Sequence, residues 1–289
     1  MKVLVTGANG QLGTDLCKAL HNFNVIPLTD ADIEVSIMDS VKHAVALCSP
    51  DVIINTAAYV RVDDCETERD KAFTVNALGA RNLAVVAQKA NCKMIHISTD
   101  YVFGGGEQPA FGGYTEFDNP NPINTYGMSK LAGEELVKSL CSRHFIVRTC
   151  GLFGVAGSTG KGGNFVETII KLADGNSEIK VVNDQVVSPS YTVDVAAKIA
   201  ELVTTEYYGT FHIVNGGACS WFEFAEEIIK LRGLKTRVIP LSSEQYPQKA
   251  KRPPFSALEC YQLKLLGMRQ LRSWQEALRA YLKEKGHIR

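Results

Sequence analysis

An α/β fold built on a doubly wound parallel sheet is predicted by three features of this 289-residue chain. Short β-branched apolar runs alternate with longer helix-period segments, a glycine-rich turn joins the first run to the first helical segment, and the runs are apolar at nearly every position. Strands alternating with helices pair in parallel, because each crossover helix spans the sheet and covers one of its faces. Lys2-Val-Leu-Val-Thr6 predicts a strand, about 11–21 a helix, 24–28 a strand, 39–48 a helix and 51–54 a strand. A long helix around 70–90, a strand at 93–98, a helix at 126–141 and a strand at 145–149 continue the alternation. Val3-Leu4-Val5, Val52-Ile53-Ile54 and Met94-Ile95-His96-Ile97 lack the polar alternation of a half-exposed strand.

The texture changes after Gly151, which divides the chain into a sheet domain, 1–150, and a smaller α/β lobe, 151–289, some of whose segments are free to return to the sheet. Helices are expected near 164–174, 192–204, 220–231 and 273–285, with shorter strands near 179–182, 210–214 and 236–239. Such a lobe sits over the carboxyl edge of the sheet, where ligands of these folds bind. The Gly- and Pro-rich stretch Gly104–Pro122 exceeds an ordinary connection and is a candidate active-site loop, and Gly154–Gly163 is a second long loop.

Composition narrows the function. Lys+Arg and Asp+Glu are both 31, no block of like charge occurs, and 45% of residues are hydrophobic. A general nucleic-acid binder is excluded by the missing basic excess, and no apolar run approaches the length of a membrane span. The first residues form a strand rather than a leader, so a cytoplasmic location is expected. The eight cysteines lie at least nine positions apart, which offers no metal-ligand spacing; free thiols and no metal site are expected. His96, inside an apolar strand, reads as a satisfied core histidine. Trp221, Phe222 and Phe224 read as lobe packing, and Asp63, Asp64, Glu66, Glu68 and Asp70 as an acidic helix start.

Thr6-Gly7-Ala8-Asn9-Gly10-Gln11-Leu12-Gly13 follows a strand and opens a helix, the context of a dinucleotide phosphate site in a Rossmann domain. Gly7, Gly10 and Gly13 permit a tight turn and close backbone approach to a pyrophosphate, and the helix N-terminus presents unpaired N–H groups. NADPH or NADH is the cofactor expected. The second strand ends Leu28-Thr29-Asp30; an acidic side chain there takes the ribose hydroxyls and favours NADH, whereas Thr29 in that place leaves discrimination weak.

Tyr126-Gly-Met-Ser-Lys130 opens a helix, so phenol and ammonium share one face a turn apart. A lysine there lowers the tyrosine pKa and creates an acid–base group for a carbonyl or alcohol. Thr99 and Asn55 each end a sheet strand, where a hydroxyl or amide reaches either a substrate or its own turn.

These residues resemble the extended short-chain dehydrogenase/reductases, and within them the dTDP-4-dehydrorhamnose reductase family. The likeness runs through Gly7–Gly13, Pro50–Ala58, Val75-Asn76-Ala77, Ile97-Ser-Thr-Asp-Tyr-Val-Phe103, Tyr126–Glu134, Arg148-Thr149, Asn183-Asp-Gln185 and Lys251-Arg-Pro253. The resemblance implies reduction of the C4 keto group of a nucleotide-activated 6-deoxy sugar, dTDP-4-dehydro-L-rhamnose. It assigns proton donation to Tyr126, the cofactor ribose and the tuning of that tyrosine to Lys130, and orientation of the carbonyl to Thr99. Gly10, Gln11, Leu12, Asp30, Glu34, Val35, Ala57, Ala58, Tyr59, Val60 and Asn76 fall on or beside cofactor positions. Asp100, Val102, Gly151 and Arg252 fall near the sugar nucleotide, Arg252 with a charge that suits its diphosphate. Gly151 stands where the family often has Trp, which implies a wider sugar pocket, and Tyr59 stands where it often has His. A related ketoreductase or epimerase giving another deoxysugar, and a non-catalytic regulatory relative resembling the methionine adenosyltransferase β subunit, share the scaffold; Tyr126, Lys130 and Thr99 together favour catalysis. A homodimer is left open.

Overall fold

Six parallel strands carry the larger layer of the computed structural model, which describes residues 1–109, 112–157 and 163–289. They are β1 (Lys2–Thr6), β2 (Asn24–Leu28), β3 (Val52–Asn55), β4 (Lys93–Thr99), β5 (His144–Thr149) and β6 (Gly209–His212), in the order β6-β5-β4-β3-β1-β2. The chain leaves β2 on one side of β1 and resumes with β3 on the other, so a crevice opens where the two crossovers diverge at the strands' carboxyl ends.

The uniform apolarity of the strands follows from this arrangement. Val3 and Val5 enter one core with helices α1 (Gln11–Ala19) and, late in the chain, Thr192–Val203, whereas Leu4 enters the opposite core with α2 (Met38–Cys48), α3 (Ala80–Lys89) and α4 (Thr125–Leu140). Alternate side chains of one strand thus meet helices on both faces. Residues 209–212, expected near 210–214 as a strand beyond residue 150, pair in parallel with β5 and so return to the sheet. The expected long helix near 70–90 is helical throughout but not uniform: Arg69–Phe73 runs into a π-turn at Thr74–Gly79 before α3. A π insertion re-aims side chains within a helix, here that of Asn76.

The lobe packs α5 (Phe165–Ala173), α7 (Trp221–Arg232) and α8 (Trp274–Glu284) around Phe153, Phe224 and Tyr281, α6 being Thr192–Val203 on the sheet. Capping boxes, Ser220 with Glu223 and Ser273 with Glu276, set the starts of α7 and α8. All eight cysteines are free thiols, six of them buried. Among the described residues no helix is long and apolar enough to cross a membrane. Of the loop Gly154–Gly163, residues 158–162 lie outside the described residues.

Candidate active site

A crevice of about 740 Å³ runs along the carboxyl ends of β1, β3, β4 and β5 and is walled on its far side by the lobe. Gly7, at φ +68°, begins its floor; a Cβ there would lie 2.8 Å from Thr56 Oγ1 and 2.9 Å from the Ala57 nitrogen. A Cβ on Gly13 would lie 2.2 Å from the Gly7 carbonyl oxygen, so only glycine lets α1 start this close to β1. Gly10 is the N-cap with no side-chain cap, leaving the first N–H groups of α1 for an anion. Gln11 Nε2 donates to the Leu152 carbonyl at 3.0 Å and ties this turn to the segment after β5. Farther along, Asp30, Glu34 and Val35 line the crevice beside Ala57, Ala58 and Val60. The Thr29 hydroxyl is turned onto Asp32 at 2.8 Å, while Asp30 is exposed at the crevice edge. The donor set suits a dinucleotide: bare N–H groups for phosphates, and a carboxylate where β2 ends.

The opposite end is built on the start of α4. Asn124 caps it by accepting from the Gly127 N–H at 2.8 Å, and Glu66 accepts from the Thr125 N–H and hydroxyl at 2.8 and 2.9 Å. Glu66 therefore does more than complement a helix dipole: it fixes the helix that carries Tyr126. At Gly127 a Cβ would lie 2.1 Å from the Tyr101 carbonyl oxygen, which brings α4 against the end of β4. The Tyr101 and Tyr126 rings meet edge to face at 5.8 Å. Tyr126, Lys130, Thr99, Asp100 and Gly151 all line the crevice. Thr99 accepts from the Tyr101 N–H at 3.2 Å, so it is both turn cap and crevice hydroxyl, and it lies 3.0 Å from Asp100 Oδ1.

Burial dominates the electrostatics. It raises the Tyr126 phenol above its ordinary range, a hydrogen bond with Thr99 opposing and the Asp100 charge adding to the effect. Lys130, only 2% exposed, is lowered to about 8 by burial against the pull of Glu134. The tyrosine was expected to be the depressed group of the pair. Desolvation instead favours the neutral form of each side chain, phenol and amine. Asp100 is raised by burial although Ser256 Oγ donates to it at 2.6 Å.

Four expected contacts lie elsewhere. Val102 is 0% exposed within the sheet core and cannot touch a ligand. Arg252 is committed to Asp63 at 2.9 and 3.2 Å and to the Ala250 carbonyl, off the crevice, because it ties its own loop to the helix Val62–Thr67. Tyr59 turns outward, its hydroxyl on Glu68 and its ring under Lys71 Nζ. Asn76 holds the Tyr59 backbone N–H and carbonyl and the Ser129 hydroxyl, so it positions the crevice floor without lining it. The stretch Gly104–Pro122 walls a separate, smaller cavity and not the crevice; its residues 110–111 lie outside the described residues.

Phe165, Thr168 and Trp221 of the lobe line the crevice and were not expected there. Their helical periodicity reads as packing, and only the lobe's placement over the sheet turns them inward. Trp221 packs against Phe165 with ring centroids 4.5 Å apart and planes tilted by 40°, and its ring edge would lie 3.5 Å from a Cβ on Gly151. The pocket is therefore not simply widened by the glycine, since an indole from α7 stands beside it.

Residues 1–286 match the family model described as the RmlD substrate binding domain. The chain belongs to that family. The spore coat polysaccharide biosynthesis protein SpsK of Bacillus subtilis is 42% identical over 287 residues, covering 98% of each chain. The dTDP-4-dehydrorhamnose reductase of Mycolicibacterium smegmatis is 36% identical over 281 residues, 96% of this chain and 84% of that one. The crystal structure of the dTDP-4-dehydrorhamnose reductase of Bacillus anthracis, in complex with NADP, has a TM-score of 0.92 at 43% identity, covering 98% of this chain and 99% of the other. As a member of the RmlD family the chain is a nicotinamide-dependent oxidoreductase on a Rossmann-type fold, as its motifs imply.

Proposed function

We propose that the chain reduces the C4 keto group of a nucleotide-activated 6-deoxy sugar, converting dTDP-4-dehydro-L-rhamnose to dTDP-L-rhamnose with NADPH or NADH. The observation that carries this reading is one crevice holding an uncapped glycine turn at one end and Tyr126, Lys130 and Thr99 at the other. Bound there, the reduced nicotinamide supplies the hydride that C4 receives. Tyr126 gives its proton to the C4 oxygen, and burial keeps that proton on the phenol at neutral pH, as a general acid requires. Thr99 orients the carbonyl by hydrogen bonding to the same oxygen. Lys130 holds the cofactor ribose one turn from the phenol. Gly7, Gly10 and the first N–H groups of α1 hold the pyrophosphate, and Asp30 faces the adenosine ribose. Phe165 and Trp221 supply an apolar wall for the deoxygenated edge of the sugar. The reductase relative at 36% identity and the NADP-bound reductase at 43% support this choice of chemistry.

The test is loss of reduced-nicotinamide absorbance with dTDP-4-dehydro-L-rhamnose and each cofactor in parallel, followed by NMR of the sugar. Consumption with formation of the rhamnose configuration is expected. A different configuration at C4 moves the chain to another ketoreductase, and no consumption with either cofactor overturns the reading.

A further inference from the structure

His96 is 1% exposed at the centre of the sheet, between Asn55 of β3 and Lys130 of α4. Its ring nitrogens meet different partners: Nδ1 lies 3.1 Å from Asn55 Nδ2, and Nε2 lies 3.4 Å from Lys130 Nζ. The Asn55 amide has a determined orientation, because Oδ1 accepts from the Ala57 backbone N–H at 3.1 Å and from the Thr6 hydroxyl at 2.7 Å. A backbone N–H only donates, so the amide oxygen faces it and the amide NH₂ faces the imidazole. Nδ1 is then the acceptor, and the single proton of the neutral ring sits on Nε2, aimed at Lys130.

This matters for the lysine. An ammonium carries three protons and no lone pair, so Nε2–H opposite it sets donor against donor. An amine can donate to the Ile97 carbonyl, 2.6 Å away, and accept from Nε2–H at once. We propose that Asn55 and His96 form a tautomer lock in which His96 acts as a positioning residue that disfavours the ammonium form of Lys130. The proposal rests on the reading of Lys130 as part of the reducing site. Its consequence is that Lys130 gives up its proton at a lower pH than an ordinary lysine does.

The other groups facing Lys130 leave room for this effect. On α4, Tyr126 lies a turn before it and Glu134 a turn after, and only Glu134 draws it toward the charged form. That carboxylate is already spent on Arg148 of β5 at 2.7 Å and Ser98 of β4 at 2.5 Å, with Lys138 3.8 Å away. Asp100 and Tyr101 stand at the end of β4 on the crevice side. His96 itself is held neutral by its burial and by Lys130.

Two measurements on the ligand-free full chain decide the matter without turnover, so they are separable from the fate of the proposed reaction. In the unaltered protein, ¹H–¹⁵N NMR of the His96 ring reads which nitrogen is protonated; a proton on Nε2 is expected, and one on Nδ1 overturns the proposal. Second, Lys130 is titrated through ¹³C at Cε, its signal identified by its loss in Lys130→Met. In Asn55→Asp the carboxylate accepts from Nδ1–H and turns the Nε2 lone pair toward Lys130, so its midpoint moves up by about one pH unit or more. The same substitution in a His96→Phe background moves it much less. An equal rise in both backgrounds, which is the through-space effect of the new charge alone, overturns the lock. Should the variants not fold, the tautomer measurement still decides.

Discussion

Glu134→Gln removes one charge from the most deeply buried ion pair among the described residues while nearly keeping its volume. Glu134 and Arg148 have side chains 0% and 2% exposed. Arg148 Nη2 donates to Oε2 at 2.7 Å and Nε to Oε1 at 2.9 Å, and Ser98 donates to Oε1 at 2.5 Å. The guanidinium also lies over the Phe103 ring, 5.2 Å from its centroid, and beside His212, with Nε2 3.4 Å from Nη1 and Nδ1 facing the Tyr114 and Glu259 carbonyls. Burial and the Arg148 charge push His212 down to about 3, so it offers a lone pair but no compensating charge. Leaving Arg148 without an anion in this setting costs about 3–5 kcal/mol, whereas replacing both partners by apolar groups of similar volume costs far less. The assay is urea denaturation at pH 7 of Glu134→Gln and of the cycle Glu134→Leu, Arg148→Met and Glu134→Leu/Arg148→Met. A loss below about 1 kcal/mol in Glu134→Gln, or a double variant that loses the sum of the singles, refutes the argument.

Tyr126→Phe is expected to lower kcat by about 10²–10⁴-fold while cofactor affinity, read by fluorescence titration, stays near normal, because only the proton donor is lost. Lys130 gives a pH signature in stability. Its folded pKa of about 8 lies below the ordinary 10.5, so between these values the unfolded chain binds more protons and stability climbs as pH rises; Lys130→Met should flatten that climb in urea midpoints. Asp30→Asn is expected to shift the NADPH/NADH ratio of kcat/KM toward NADPH by about three- to ten-fold, since a carboxylate at the end of β2 repels a 2′-phosphate. Trp221→Ala should raise KM for the sugar nucleotide more than KM for the cofactor, and an unchanged sugar KM removes the indole from the pocket wall.

Features that depend on near neighbours along the chain are legible in the sequence. An uninterrupted apolar run such as Val52-Ile53-Ile54 can only be a strand covered on both faces or a buried helix turn, and the flanking helical segments choose the first. The glycine spacing at 7, 10 and 13 and the four-residue step from Tyr126 to Lys130 each lie within one turn and one helix, so their geometry follows from backbone periodicity. Tertiary structure decided the rest. Arg252 has a charge that suits a diphosphate, but Asp63, 189 residues earlier, claims it. Val102 belongs to a motif beside the site, yet the turn after β4 points it into the core. Trp221 and Phe165 reach the crevice because the lobe closes over the sheet, and Gly209–His212 completes the sheet because the edge of β5 stands open beside it. His96 meets Asn55 and Lys130 through the register of β3 on β4 and the packing of α4 behind them. Local pattern selects the elements and the chemistry they carry. Burial and the orientation of hydrogen-bond partners, which arise only when distant strands align, decide which form of each group is present to act.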